Sequence, residues 1–115
     1  MDKDRPIEEV CALLKSLLKD DNNQIIFCTG RVEDYREKTI EQINKILKGS
    51  KNIDIDSCLY MRPKGDYRKD FMVKRDLYKR MIVDGLNPVL VFEDKITVVE
   101  MWKEMGLKCL RVTGA

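Results

Sequence analysis

The chain has 115 residues, 43% hydrophobic and 37% charged, with a net charge of only +2. This suits one globular domain with its own core, and it speaks against disorder and against a broadly basic nucleic-acid surface, while leaving room for a local basic patch. The sequence has no histidine. Imidazole triads are therefore excluded, and any chemistry must run on carboxylates, lysine, arginine, hydroxyls or thiols.

Pro6 can open a helix in which Ile7, Val10, Leu14, Leu17 and Leu18 recur at helical spacing, up to about Asp20. Asp21-Asn22-Asn23 is a turn cluster. The apolar run 24–28 suits a strand covered on both faces. Asp34 is placed to cap a second helix, with Ile40, Ile43 and Leu47 on its apolar side and an end near Gly49. Residues 56–61 read as a second strand. A third helix over 69–83 aligns Val73, Leu77 and Met81, with Phe71, Tyr78 and Ile82 alongside, before Gly85 and Pro88. The third strand is 89–92, the fourth helix 96–105 with Gly106 as its C-cap, and the last strand 107–112.

Cys11, Cys28, Cys58 and Cys109 form no C-x-x-C pair, and each lies in an apolar stretch. They read as small buried hydrophobes of a reducing compartment. No apolar run nears the roughly 20 residues of a membrane span, and "MDKDRP" lacks the apolar core of a signal peptide. The expectation is a soluble, cytoplasmic protein with no membrane partner.

The alternation of helix and strand implies an α/β fold: a parallel sheet of about four strands between two helical layers, a three-layer αβα domain over 1–115. Ligands of such sheets sit beyond the carboxyl ends of the strands. The first strand is followed by Thr29-Gly30-Arg31. The second is followed by Arg62-Pro63-Lys64-Gly65-Asp66, leading into Arg68-Lys69-Asp70 and Lys74. The third is followed by Glu93-Asp94 and the last by Thr113-Gly114.

Each group has two readings. Thr29-Gly30-Arg31 can hold a phosphate through a hydroxyl, backbone N–H groups and a guanidinium, with Gly30 allowing close approach, or it is a plain strand-ending turn. Asp70 and Lys74 are an ordinary i,i+4 pair, or a lysine that neutralises phosphate with an aspartate holding it; Arg62 and Arg68 add positive charge to the same approach. Glu93-Asp94 suits magnesium, or Asp94 is a helix cap with Glu93 favoured by the helix dipole. An anion site and an acid pair on one sheet edge favour metal-assisted phosphate chemistry.

Three segments, "IIFCTGR", "RPKGDYRKDFMVK" and "VLVFEDKITVVEMWKEMGLKCLRV", resemble the 3′-phosphatase domain of bacteriophage-type polynucleotide kinases, in the haloacid-dehalogenase phosphatase superfamily. The likeness covers nearly the whole chain. It implies that Thr29 holds the transferring phosphoryl group and that Arg31 is the essential arginine beside it. It implies that Lys74 stabilises a phosphoaspartyl intermediate and that Asp70 supports Lys74. Glu93 and Asp94 match the acid pair that helps bind magnesium, with Glu-Asp in place of the more usual Asp-Asp. The implied substrate is a phosphate-bearing nucleic-acid end or nucleotide.

The family's first motif, a strand ending in D-x-D-G-T that carries the nucleophile, has no counterpart in these residues. Asp2-Lys3-Asp4 has the letters D-x-D, without a preceding strand or a following Gly-Thr. The expectation is a core lacking its first strand, weak or absent magnesium binding, and no turnover by the chain alone. Three alternatives stand beside it: a non-catalytic phosphate- or nucleic-acid-binding scaffold, half of a split phosphatase, and a fragment of a longer reading frame that carries the motif upstream. A homodimer would form by strand swapping or strand pairing at the place the missing strand leaves, and a complementing chain would supply that strand. Without it, the strands bearing Thr29 and Glu93 either pair directly or expose unpaired backbone groups.

Overall fold

The structure is a computed structural model that describes residues 8–50 and 53–112. Pro6, Ile7, Asp2-Lys3-Asp4 and Thr113-Gly114 lie outside the described residues. The elements are α1 (Glu8–Leu18), β1 (Phe27–Val32), α2 (Arg36–Ile46), β2 (Leu59–Arg62), α3 (Asp70–Val83), β3 (Leu90–Glu93), α4 (Ile96–Glu104) and β4 (Lys108–Arg111). Short 3-10 turns at Glu33–Tyr35 and Asp56–Cys58 precede α2 and β2. The α/β alternation is the one the sequence predicts.

Two local expectations change. β1 begins three residues later than the apolar run and continues through Thr29-Gly30-Arg31, because the backbone pairing partner of Phe27 is Leu59. The register between β1 and β2 slips between Thr29 and Val32. This tripeptide is therefore an irregular strand end and not a turn after the strand. Asp34 does not cap α2: it sits inside the 3-10 turn, and the N-cap residue is Tyr35, with no side-chain cap bond. Gly106 does close α4 as expected. Its φ of +88° reverses the chain, and Leu107 N–H donates to Trp102 O at 3.0 Å.

The strands are all parallel but form two pairs, β1–β2 and β3–β4. β1 and β3 do not pair with each other, so the expected single sheet of about four strands is split, and direct pairing of the Thr29 and Glu93 strands is not formed. One edge of β1 and one edge of β3 have no strand partner among the described residues.

Packing explains how the two pairs stay together. On one side of β1–β2, Leu59 and Met61 join Leu18, Ile43, Leu47 and Ile55, with Leu14, Phe27 and Ile40 packed around them, which buries α1 and α2. On the other side, Tyr60 packs with Val73, Leu77 and Met81 of α3. This alternation along β2 gives three layers here, as expected. At β3–β4, Val91 and Cys109 pack against Val98, Val99, Met101 and Trp102 of α4. Leu90 and Leu110, at 45% and 54% exposed, mark an opposite face with no helical cover among the described residues, so this half has two layers. Cys28 and Tyr78 each touch both the α3 and the α4 clusters and bridge the split.

Candidate active site

The carboxyl ends of β1 and β3 and the first turn of α3 open onto one cavity of about 580 Å³. Thr29, Gly30, Arg31, Asp70, Lys74, Glu93, Asp94 and Lys95 line it. Seven of these eight residues are those singled out in the sequence, so strand ends far apart in the chain do converge. Arg62 lines a neighbouring cavity and reaches this one through its bond to Asp70; Arg68 lies further along the same loop.

β1 contributes a hydroxyl and a guanidinium. Thr29 Oγ1 accepts from Arg31 N–H at 3.2 Å, which tightens the irregular strand end. Arg31 Nη1 donates to Gln42 Oε1 at 2.6 Å and to Thr39 Oγ1 at 3.3 Å, so α2 sets its direction. Gly30 matters through contact. A Cβ built on it would stand 2.5 Å from Asp70 Oδ1. Only a residue without a side chain lets the α3 terminus approach β1 this closely.

Asp70, the first residue of α3, is held by two cations. Arg62 Nη2 donates to its Oδ1 at 2.6 Å and Lys95 Nζ to its Oδ2 at 2.9 Å. Burial pushes this carboxyl up, but the Lys95 hydrogen bond and charge, then Lys74 and Arg62, outweigh it and hold the carboxyl below its ordinary value. Arg62 uses its other donors on Gly30 O, Asp66 O and Arg68 O. Arg68 is bonded to Asp66 and Asp76.

Lys74 lies one turn further along α3 and is 8% exposed. Its partner is Glu93 rather than the expected Asp70: Nζ sits 3.2 Å from Oε1 and 3.4 Å from Oε2. Asp70 faces Arg62 and Lys95, which are closer to it than the helical i,i+4 neighbour. Trp102 Nε1 also donates to Glu93 Oε1 at 3.3 Å, and Lys95 N–H to Oε2 at 3.4 Å. The Trp102 ring is fixed edge-on to Tyr78, with centroids 5.8 Å apart. Every buried side-chain polar atom among the described residues has a partner, which a buried ion pair needs to persist.

Asp94 is exposed, and its carboxylate has no hydrogen bond or ion pair among the described residues. It does not cap α4, whose N-cap residue is Lys95 without a side-chain cap bond. The capping alternative for Asp94 is therefore removed. The two acids divide their work: Glu93 anchors the lysine, and Asp94 stays available. No group of three or more potential ligand side chains gathers among the described residues. A magnesium ion commonly takes one or two carboxylates and completes its shell with water and phosphate oxygens; both Glu93 oxygens are already engaged, so of the acid pair Asp94 is the carboxylate open to such an ion.

Two residues of the site were not singled out in the sequence. Lys95 was legible only as the residue after the acid pair. Trp102 lies nine positions beyond Glu93, and its indole N–H reaches back only because α4 folds against β3. Cys28 sits beneath the cavity. Burial, against the opposing pull of Lys74, pushes its thiol up to about 12, so it is an inert packing group.

Parallel strands whose ends present a hydroxyl and an acid pair, with a buried lysine set beside them by α3, define a haloacid-dehalogenase-like, phosphatase-type α/β domain. The family model of the polynucleotide kinase PNKP phosphatase domain matches residues 1–115, and the chain belongs to that family. It is also 32% identical over 100 residues to a protein of Autographa californica nuclear polyhedrosis virus named as a bifunctional polynucleotide kinase/RNA ligase. That match covers 86% of this chain and 14% of the viral protein, so the chain spans about one seventh of that relative's length.

Proposed function

We propose that the cavity is the phosphoryl-binding half of a magnesium-assisted 3′-phosphatase acting on nucleic-acid ends in repair. The observation that carries this reading is the meeting of Thr29, Arg31, Lys74 and Asp94 in one cavity, in a chain of the polynucleotide kinase phosphatase family. Thr29 and the backbone N–H groups near it take phosphoryl oxygens, and Arg31 adds a bidentate donor. Arg62 and Arg68 shape the approach and contribute positive potential. Lys74, already positioned by Glu93, balances charge on the phosphoryl group as it transfers. Magnesium held at Asp94, with Glu93 holding Lys74 beside it, would neutralise phosphate oxygens at the same place. Asp70 orders the rim by holding Lys95 and Arg62.

The nucleophile belongs to a D-x-D-G-T strand outside these residues, in the same polypeptide or in a different partner chain; a second copy of this chain can pair on the open edges but carries no such motif. The split sheet supports this reading, because β1 and β3 flank the cavity with edges that no strand among the described residues occupies, and a further strand can pair there. The domain alone is then a phosphate binder without turnover, placed in the cytoplasm. No helix among the described residues is long and apolar enough to cross a membrane.

The test is release of phosphate from a 3′-phosphorylated oligonucleotide. The expected result is no release by the chain alone at any magnesium concentration, and release once a D-x-D-G-T strand is fused or added. Lys74→Ala abolishes the restored activity. Turnover by the unsupplemented chain that Lys74→Ala removes would overturn the division of labour, and restored turnover indifferent to Lys74→Ala would overturn the site.

A further inference from the structure

A second cavity, of about 510 Å³, adjoins the first and shares Gly30 with it. Its wall includes Asp34, Arg62, Lys64, Tyr67 and Arg68. Tyr67 is 95% exposed on its rim. A single exposed aromatic is ordinary on a protein surface. This one differs in how firmly its backbone is held.

Both neighbours of Tyr67 are tied down. Arg62 Nη1 donates to Asp66 O at 3.0 Å and to Arg68 O at 2.6 Å, on either side of the tyrosine. Asp66 Oδ1 accepts from Arg68 N–H at 3.1 Å, and its Oδ2 from Arg68 Nη2 at 2.8 Å. The same Nη2 lies 2.8 Å from Asp76 Oδ2, which fastens the loop to α3. Arg62 also bonds Gly30 O and Asp70. One guanidinium thus links the phosphate cavity to the loop that displays Tyr67, and the ring is held out with its backbone already ordered.

The charges describe the occupant. Asp66 and Arg68 neutralise each other. Lys64 and Asp34, both exposed, have no ion pair among the described residues. An aromatic face, one ammonium and one carboxylate suit an unpaired nucleobase with its backbone better than a second phosphate. The ring stacks on the base, Asp34 accepts from a base N–H, and Lys64 meets the next phosphodiester.

We propose that the second cavity is a nucleoside subsite in which Tyr67 stacks on the terminal base of a single-stranded 3′ end, while that nucleotide's 3′-phosphate occupies the Thr29–Lys74 cavity. This rests on the reading of the first cavity as a phosphoryl site. The platform is sequence-tolerant, because every base has a π-face.

The test uses the full chain, a short fluorescein-labelled single-stranded oligonucleotide with a 3′-phosphate, and inorganic phosphate as the second probe. Anisotropy reads the first, and competition and thermal shift read the second. Tyr67→Ala is expected to weaken oligonucleotide binding by about fivefold to a hundredfold, the range of one lost stacking contact. Tyr67→Phe, which keeps the ring, stays within about twofold of the parent on the same grounds, and the affinity for inorganic phosphate does not change in either variant. Equal oligonucleotide binding by Tyr67→Ala and the parent overturns the subsite. So does a parent that binds phosphate but no oligonucleotide, and in both cases the phosphoryl site stands. A parent stabilised by neither probe overturns the phosphoryl site and the subsite together.

Discussion

The cavity holds two ionic arrangements only one helical turn apart on α3, and they differ in kind. At its floor, Lys74 and Glu93 form a pair whose side chains are 10% and 8% exposed. At its rim, Asp70 is shared by Arg62 and by a Lys95 side chain that is 57% exposed. The floor pair is committed: removing either member leaves a charge stranded among Trp102, Tyr78 and Cys28. The rim is adaptable, because water replaces a lost partner at little cost. On the proposed function, this arrangement would give a phosphate dianion a fixed cation below and exchangeable ones above.

The floor should fail first and by the most. Lys74→Met leaves Glu93 buried without a counter-ion, at an expected cost of about 3–5 kcal/mol in urea unfolding. Adding Glu93→Gln should recover most of that loss. If the double variant is as unstable as the single one, the stranded charge is not the cause. Gly30→Ala comes next. Its methyl group must displace the Asp70 carboxylate and with it the Arg62 bond, costing about 1–3 kcal/mol as overpacking and weakening phosphate binding. Wild-type stability and affinity would show that the rim is looser than its geometry.

Lys95→Ala, which removes one exposed rim cation, should cost under about 1 kcal/mol. A loss equal to that of Lys74→Met would erase the distinction between floor and rim. The smallest effect is in pH. The folded Asp70 carboxyl lies below its ordinary value. Its contribution to stability is complete above the unfolded pKa of about 4 and is lost as pH falls through the lower folded value. The stability gap between the parent and Asp70→Asn should therefore shrink in acid. A gap constant from neutral pH to well below about pH 4 would remove the charge argument for Asp70.

Much of this was legible in the chain itself. Periodicity located α3 and α4 closely, because Val73, Leu77 and Met81 and then Val98, Val99 and Trp102 are buried by one helix face each. The acid pair at the end of β3 and the lysine on α3 were recognisable as candidate site residues from their place after strands, and they do line one cavity. The motif spacing also pointed to the family that the match over residues 1–115 establishes. Strand limits were less legible. The run 24–28 is apolar enough for a strand, yet Ile25 and Ile26 serve the two helical cores while the ladder starts at Phe27.

Other features belonged to the tertiary structure alone. Sequence proximity suggested Asp70 for Lys74, but the fold brings Glu93 to it from 19 residues away and turns Asp70 toward Arg62 and Lys95. Local spacing constrains only neighbours along one helix, whereas an ion pair goes to whichever opposite charge is nearest in a place water cannot reach. The split between the two strand pairs and the tethered display of Tyr67 arise in the same way. The chain by itself determined which groups stand at the strand ends, because burial of apolar residues sets where each strand stops. Only the packing of α3 and α4 between the two pairs decided which of those groups meet.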